Sequence, residues 1–242
     1  MVSEIGELLS KYKVATLGEL SKKLNISLDK IKNISCGRTS FNSLFKIKKQ
    51  YRIFPNHCKD LAEVIGIVLG DGNIYKFDRC QRLTISCDSL HKWYIKHICC
   101  LIEKVLKRKP GIVKRRGPRC VDVRVYLQDI NLALGLPAGN KLKNEIKIPE
   151  WIFEKNQYLK RCIKGLFETD GHYGKSKKFY VEYMQLCNYS RSLRKSTFDA
   201  LKILGYAPQM GRKYVRIARK AEVRRFIKEM KFIRPFPSLA IE

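Results

Sequence analysis

Two nonamers decide how this chain is read: Val64-Ile65-Gly66-Ile67-Val68-Leu69-Gly70-Asp71-Gly72 and Ile163-Lys164-Gly165-Leu166-Phe167-Glu168-Thr169-Asp170-Gly171. Each reads as the end of an apolar helix that closes in Asp-Gly. Gly66 and Gly70 stand four residues apart on one helix face, and so do Gly165 and Thr169. With no bulky side chain along that face, two such helices can approach nearly backbone to backbone. Packed in parallel, they bring Asp71 and Asp170 side by side at their C-terminal ends. Carboxylates there meet the negative end of the helix dipole and repel one another unless positive charge lies between them. Divalent cations on oxygen ligands supply that charge, so the spacing asks for metal-assisted phosphodiester hydrolysis. The glycine after each Asp is expected in a left-handed C-terminal turn. A lone Asp-Gly is ordinary turn chemistry. Two of them, each closing a small-residue-faced helix and about a hundred residues apart, are not explained that way.

Outward from the motifs, residues from 57 onward read as one pattern written twice. The first copy has a helix at Leu61 to Leu69 and a strand at Arg82 to Cys87 with Leu83, Ile85 and Cys87 on one face. A helix from Leu90 to Leu106 and a basic hairpin follow. The hairpin's second strand, Cys120 to Tyr126, turns Val121, Val123 and Val125 inward and Asp122, Arg124 and Tyr126 outward. A short helix ends near Leu134. The second copy runs through a helix at Tyr158 to Glu168, a strand at Tyr180 to Cys187 and a helix at Ser190 to Leu204. Strand Lys213 to Ala218 and helix Glu222 to Met230 complete it. Cys87 ends its strand 16 residues after Asp71, and Cys187 ends its own 17 after Asp170. The joint at Gly135-Leu136-Pro137 and Ile148-Pro149 is rich in helix breakers. The expected domains are 1–55, 56–147 and 148–242.

These nonamers and their spacing resemble the LAGLIDADG homing endonucleases, whose single-chain form carries the motif twice. The resemblance covers about residues 57 to 234, including the stretch from Gly135 to Lys141 and Ile148-Pro149-Glu150-Trp151. It departs from the pattern at Leu69 and Gly70 but keeps Gly66 and Asp71. It implies an α+β class, a pseudo-two-fold duplicated αββαββα fold whose strands form a β-saddle on DNA, with a small N-terminal helical domain. It also implies a monomeric enzyme using Mg2+, two or more divalent ions, near Asp71 and Asp170, with Gly70 and Thr169 among the metal ligands. Lys141 becomes the candidate basic catalytic residue of the first copy and Arg234 its counterpart in the second. Ser89 and Asn188, just past the matched strands, are candidates for holding solvent. For these four, a solvated or phosphate-contacting role stands beside the catalytic one.

The charge balance fits that expectation. Fifty Lys and Arg against 22 Asp and Glu leave a formal +28, a field that makes sense beside a polyanion. From Lys107 to Arg119 there are seven Lys or Arg and no acid. Lys114, Arg115, Arg116 and Arg119 fall there, with Lys175, Lys177 and Lys178 in the matching connection of the second copy. Arg82, Thr84, Ser86, Arg124, Tyr126 and Arg216 are the strand residues expected to face DNA. Strand side chains read base edges, whereas lysines mostly position the backbone.

Residues 1–55 hold eleven basic residues against four acidic ones. Helices at Thr16 to Leu24 and Leu28 to Ile34, with a turn at Asn25-Ile26-Ser27, outline a helix-turn-helix, a DNA-binding module or a plain helical cap. Hydrophobic residues at 45% argue for a folded chain. Nine cysteines without a CxxC pair suit a reducing intracellular compartment, cytoplasmic or organellar. Cys87, His91, His97, Cys99 and Cys100 match no common zinc spacing. No apolar run is long enough for a membrane helix. An intein is not expected, since residue 1 is Met and the C-terminus lacks a His-Asn ending. The rival readings are an intron RNA maturase, which can keep the acids, and a non-cleaving regulator of the same fold. A ribosomal or scaffold protein explains the charge but not the twin motifs.

Overall fold

The structure is a computed structural model. It describes residues 9, 15–24, 26–35, 55–115, 119–176 and 181–233. The chain divides into two units, residues 1–52 and 53–242.

In the smaller unit, α1 (Leu17–Leu24) starts from a capping box. Thr16 Oγ1 accepts the Glu19 amide at 3.2 Å, and Glu19 Oε2 accepts the amides of Ala15 at 2.9 Å and Thr16 at 3.4 Å. Helix α2 (Leu28–Ser35) follows. Leu20 and Ile31 are buried together, with Leu9, Leu17 and Ile26 packed around them. Asn25, expected in the turn, lies outside the described residues.

In the larger unit, α3 (Lys59–Gly70) is buried at every residue from Leu61 to Leu69, as suits a helix apolar almost all round. Its chain continues as β1 (Gly72–Lys76), β2 (Gln81–Asp88), α4 (Lys92–Leu106), β3 (Gly111–Lys114), β4 (Cys120–Leu127) and α5 (Ile130–Leu134). After a 3-10 turn at Glu150–Glu154 the order returns. It runs through α6 (Asn156–Asp170), β5 (Gly171–Ser176), β6 (Val181–Cys187), α7 (Arg191–Ile203), β7 (Gln209–Met210), β8 (Tyr214–Ile217) and α8 (Lys220–Met230). Each copy forms a four-stranded antiparallel sheet, in the orders β1-β2-β4-β3 and β5-β6-β8-β7. This is the duplicated α+β architecture.

Strand register fixes which residues correspond. Gly72 pairs with Ile85 and Ile85 with Val123; Gly171 pairs with Leu186 and Leu186 with Val215. Arg124 therefore corresponds to Arg216, and Cys87 to Asn188. The inner faces carry Leu83, Ile85, Val123, Val125, Met184, Leu186, Val215 and Ile217, all buried in one core with both motif helices. Each such side chain contributes about 1.5–3 kcal/mol by leaving water.

Three points differ from the sequence reading. The strand β1 was not read from the sequence, because Gly-Asn-Ile-Tyr-Lys is short and opens on a glycine. Asp122 keeps its place on the outer face but is fully buried, because Arg115, Arg124 and Ser86 close over it. The glycines after the motif acids are not left-handed: Gly171 has φ −78° and ψ 142°, and Gly72 is not among the positive-φ residues. They are glycine for want of space, since a methyl group would lie 2.5 Å from Val68 Cα at Gly72 and 2.1 Å from the Phe167 carbonyl oxygen at Gly171. No group of three or more His, Cys, Asp or Glu able to hold a metal occurs among the described residues. His97 instead meets Glu63, Nε2 to Oε1, at 2.7 Å.

Candidate active site

The motif helices α3 and α6 pack directly on one another, and their small residues set the distance. A methyl group added at Gly66 would lie 2.0 Å from the Cys162 carbonyl oxygen. One added at Gly165 would lie 2.4 Å from the Glu63 carbonyl oxygen, and one at Gly70 would lie 1.9 Å from Thr169 Oγ1 and 3.5 Å from Asp170 Cγ. Gly66, Gly165, Gly70 and Thr169 thus line the contact in turn, and the last pair brings the two Asp-Gly ends together. The Thr169 hydroxyl donates to Leu166 O at 2.9 Å and Gly165 O at 3.3 Å, keeping its own helix closed.

Lys141 reaches this junction from the loop after α5. That loop is tied to β1 by the Gly139 amide, which donates to Ile74 O at 2.8 Å. Asn140 Oδ1 accepts the amides of Leu142 at 2.9 Å and Lys143 at 3.3 Å, which rigidifies the turn. The Lys141 ammonium donates to Leu69 O at 3.0 Å and to Gly70 O, both terminal carbonyls of α3. Burial pushes its pKa down to about 8, although the nearby Asp170 and Asp71 carboxylates favour its charged form. One cation therefore lies in the field of both motif acids.

The acids differ in surroundings. Asp71 caps α3 and is exposed. Asp170 is half-buried, and burial raises its pKa against the opposing influence of Asn188 and Lys141. Asn188 Nδ2 donates to Asp170 Oδ2 at 3.0 Å. Its backbone amide donates to Lys213 O at 3.1 Å, anchoring the residue at the end of β6. By register its counterpart is Cys87, not Ser89, whose amide instead donates to Arg119 O at 3.2 Å. Arg234 lies outside the described residues. The donor set, two carboxylates beside helix-end carbonyls, suits Mg2+, which takes one or two carboxylates and fills its shell with water and substrate phosphate.

Of the residues expected on DNA, Lys114, Arg115, Arg119, Tyr126 and Lys175 are exposed, and Arg82, Ser86, Arg124 and Arg216 are half-buried. Thr84 is a correction: it is buried at 7% exposure between Asn73 and Arg124, so its hydroxyl is not open to a base edge. Arg116, Lys177 and Lys178 lie outside the described residues. Sequence reasoning missed the aromatic company of these cations. Arg82 lies 5.6 Å from the Tyr75 ring centroid and 5.4 Å from that of Phe77. Arg216 lies 4.3 Å from the Tyr183 ring and 4.6 Å from that of Tyr214. It also missed the buried ion cluster across the two motif helices, where Glu63 meets Arg161 at 2.6 Å and Lys164 at 3.3 Å. Only the i, i+3 spacing of Arg161 and Lys164 hinted at the latter.

No family model matches the chain. Among curated proteins, 206 residues are 26% identical to the replication factor C small subunit of Methanocaldococcus jannaschii, covering 76% of this chain and 11% of that protein. A 135-residue stretch is 28% identical to the tRNA-splicing ligase RtcB of Methanopyrus kandleri, covering 49% of this chain and 14% of that one. The chain spans about a tenth of the length of the curated relatives it matches. Among solved structures, it is similar to a mesophilic variant of the homing endonuclease I-DmoI, at TM-score 0.52 and 18% identity over 71% of this chain and 94% of that one. I-DmoI in complex with DNA and Mn gives TM-score 0.51 and 18% identity over 71% of this chain and 96% of that one. The homing endonuclease I-WcaI bound to its DNA recognition sequence gives TM-score 0.51 and 19% identity over 79% of this chain and 88% of that one. With its two close-packed motif helices and two sheets of matching strand order, the chain has the LAGLIDADG homing-endonuclease fold in the single-chain, two-motif form.

Proposed function

We propose that the chain is a monomeric, site-specific homing endonuclease that hydrolyses phosphodiester bonds in both strands of a long, asymmetric double-stranded DNA target, an activity that serves intron mobility. The observation that carries this reading is the junction itself: two motif helices in backbone contact, their acids at one end, and the half-buried Lys141 bonded to that end. In this reading residues 56–147 and 148–242 are the two half-domains, and 1–55 adds a helical DNA contact. The DNA- and metal-bound states of I-DmoI and the DNA-bound state of I-WcaI support it by likeness of fold.

Asp71 and Asp170, with the Thr169 carbonyl and the second lone pair of the Gly70 carbonyl that Lys141 also bonds, would hold Mg2+ ions. When bound, such ions make water more acidic and neutralise charge on the scissile phosphate. The chain's own part is positioning. Gly66, Gly70, Gly165 and Thr169 set the spacing between the acids. Asn188 fixes the Asp170 carboxylate, and Lys141 holds positive charge beside both acids and steadies the phosphate in the transition state. The basic connection at 107–119 and the outer faces of the sheets grip the duplex.

The test is cleavage of plasmid DNA carrying the uninterrupted allele of the gene that hosts this reading frame, in parallel with Mg2+, Ca2+ or EDTA. Linear product in Mg2+ and none in EDTA is the expected result. Binding without cutting in every tube would overturn the nuclease reading, and intron RNA would then be the ligand to try.

A further inference from the structure

We propose that Arg124 and Arg216 are a matched pair of guanine readers, held ready by Asp122 and Gln185, so that the target carries two G·C pairs related by the pseudo-two-fold axis; this rests on the DNA-binding part of the function proposed above. The register puts both arginines on the same rung, Arg124 opposite Thr84 and Arg216 opposite Gln185, each one residue past the core valines Val123 and Val215. Both side chains leave the outer face of their sheet, and both are half-buried.

The two are clamped by different chemistry. Arg124 Nη2 donates to Asp122 Oδ2 at 2.7 Å. Asp122 also accepts from Arg115 Nε at 3.0 Å and, on its other oxygen, from the Ser86 hydroxyl at 3.0 Å. A fully buried carboxylate on the face of a +28 protein that meets a polyanion cannot itself reach a base, and it repels phosphate. Its three bonds give it a positioning task. On the second sheet no acid is used: Arg216 Nε donates to Gln185 Oε1 at 2.8 Å, as does its Nη2 at 2.5 Å, and its guanidinium lies over Tyr183 and Tyr214. Tyr183 in turn lies against Gly174, where a methyl group would come within 2.2 Å of the ring. Among the described residues neither arginine side chain makes any other hydrogen bond. Arg216 spends its Nε hydrogen and one on Nη2, and Arg124 spends one on Nη2, so of five N–H donors each retains one hydrogen on Nη2 and both on Nη1, and one from each nitrogen can form an end-on fork. That fork matches the O6 and N7 acceptors of guanine in the major groove. A side chain fixed in advance loses less entropy on binding, so two clamped arginines contribute selectivity that two mobile ones would not.

The experiment is selection of bound duplexes from a randomised pool in EDTA, where cutting is not required. The wild-type pool should converge on two G·C pairs at equal distances from its centre. Arg124→Lys and Arg216→Lys keep the charge but lose the fork, so each should lower the guanine preference roughly 10- to 100-fold at one position only, with the salt dependence of binding unchanged. Asp122→Asn should relax the position assigned to Arg124 while binding to random-sequence DNA stays equal or tightens. Gln185→Ala should relax the other position. Loss of affinity spread evenly over all sequences, or selected sites without the symmetric pair, would overturn the proposal. Because binding alone is read, a protein that selects these pairs but never cuts would refute the nuclease reading and leave this one standing.

Discussion

Gly66→Ala tests whether the contact between α3 and α6 sets the site. The new methyl carbon would lie 2.0 Å from the Cys162 carbonyl oxygen and 3.0 Å from the Leu166 amide nitrogen, whereas real contacts of this kind do not fall below 3.0 Å. Both neighbours are backbone, so no side chain can swing aside. The helices must part by at least 3.0 − 2.0 = 1.0 Å at this level. Gly70, one turn on, packs on Thr169 and Asp170, so the separation reaches the acids. Overpacking of this kind costs about 1–3 kcal/mol, which lowers Tm by about 2–12 °C in a unit of this size. A displacement of about 1 Å in a reacting constellation lowers the rate by about 100-fold. Differential scanning fluorimetry and single-turnover cleavage read the two effects, and DNA affinity in EDTA should hold within about threefold, since the sheets are untouched. Gly18→Ala in α1 is the control: its methyl group meets nothing nearer than Thr16 Oγ1 at 3.9 Å, and alanine gains about 0.5–1 kcal/mol over glycine in a helix. A Gly66→Ala protein with unchanged or raised Tm and a cutting rate within a few-fold of the parent would refute this reasoning.

Other outcomes follow from the same geometry. Lys141→Met should leave binding within a few-fold and slow cleavage by about 100- to 1,000-fold, as measured on a labelled duplex. Asn188→Ala removes the amide held on Asp170, so one strand should be cut about 10- to 100-fold more slowly, and strand-resolved gels should show a nicked intermediate. Glu63→Gln leaves Lys164, only 5% exposed, without its carboxylate partner and should cost about 3–5 kcal/mol in denaturant unfolding. Burial opposes charge on Glu63, but the bond from His97 and the charges of Lys164 and Arg161 prevail and hold its pKa below the ordinary 4.5. Its contribution is therefore full above that pH and is lost as pH falls through the lower folded value. Tm measured against pH should drop there in the parent protein and less in the variant.

The parts legible in the sequence were those with a period. Small residues four apart named the helix contact, and alternating Val121, Val123 and Val125 named a strand. Lys141 came from the family resemblance of the Gly135 to Lys141 stretch, and the fold brings it to the junction. What stayed hidden depended on neighbours distant in the chain. Asp122 alternates as an outward residue, and only its partners Arg115, Arg124 and Ser86 explain its burial. Asn188 and Ser89 were paired as residues just past the matched strands. The strand pairing shifts that match to Cys87, because the β5 to β6 hairpin is longer than the one from β1 to β2. The Asp-Gly glycines looked like left-handed caps, since a sequence does not distinguish a φ requirement from a steric one. Glu63, His97 and Lys164 lie too far apart in sequence for any motif to join them.

The central claim is one shared, metal-dependent site made by Asp71 and Asp170, and the most direct test is cutting by the two single variants Asp71→Asn and Asp170→Asn. Each would be incubated with target plasmid and Mg2+ beside the parent protein, with EDTA controls and a parallel binding measurement. The account predicts linear product from the parent in Mg2+, none in EDTA, and no linear product from either variant while both still bind. Full double-strand cutting by either variant, or by the parent in EDTA, would contradict it.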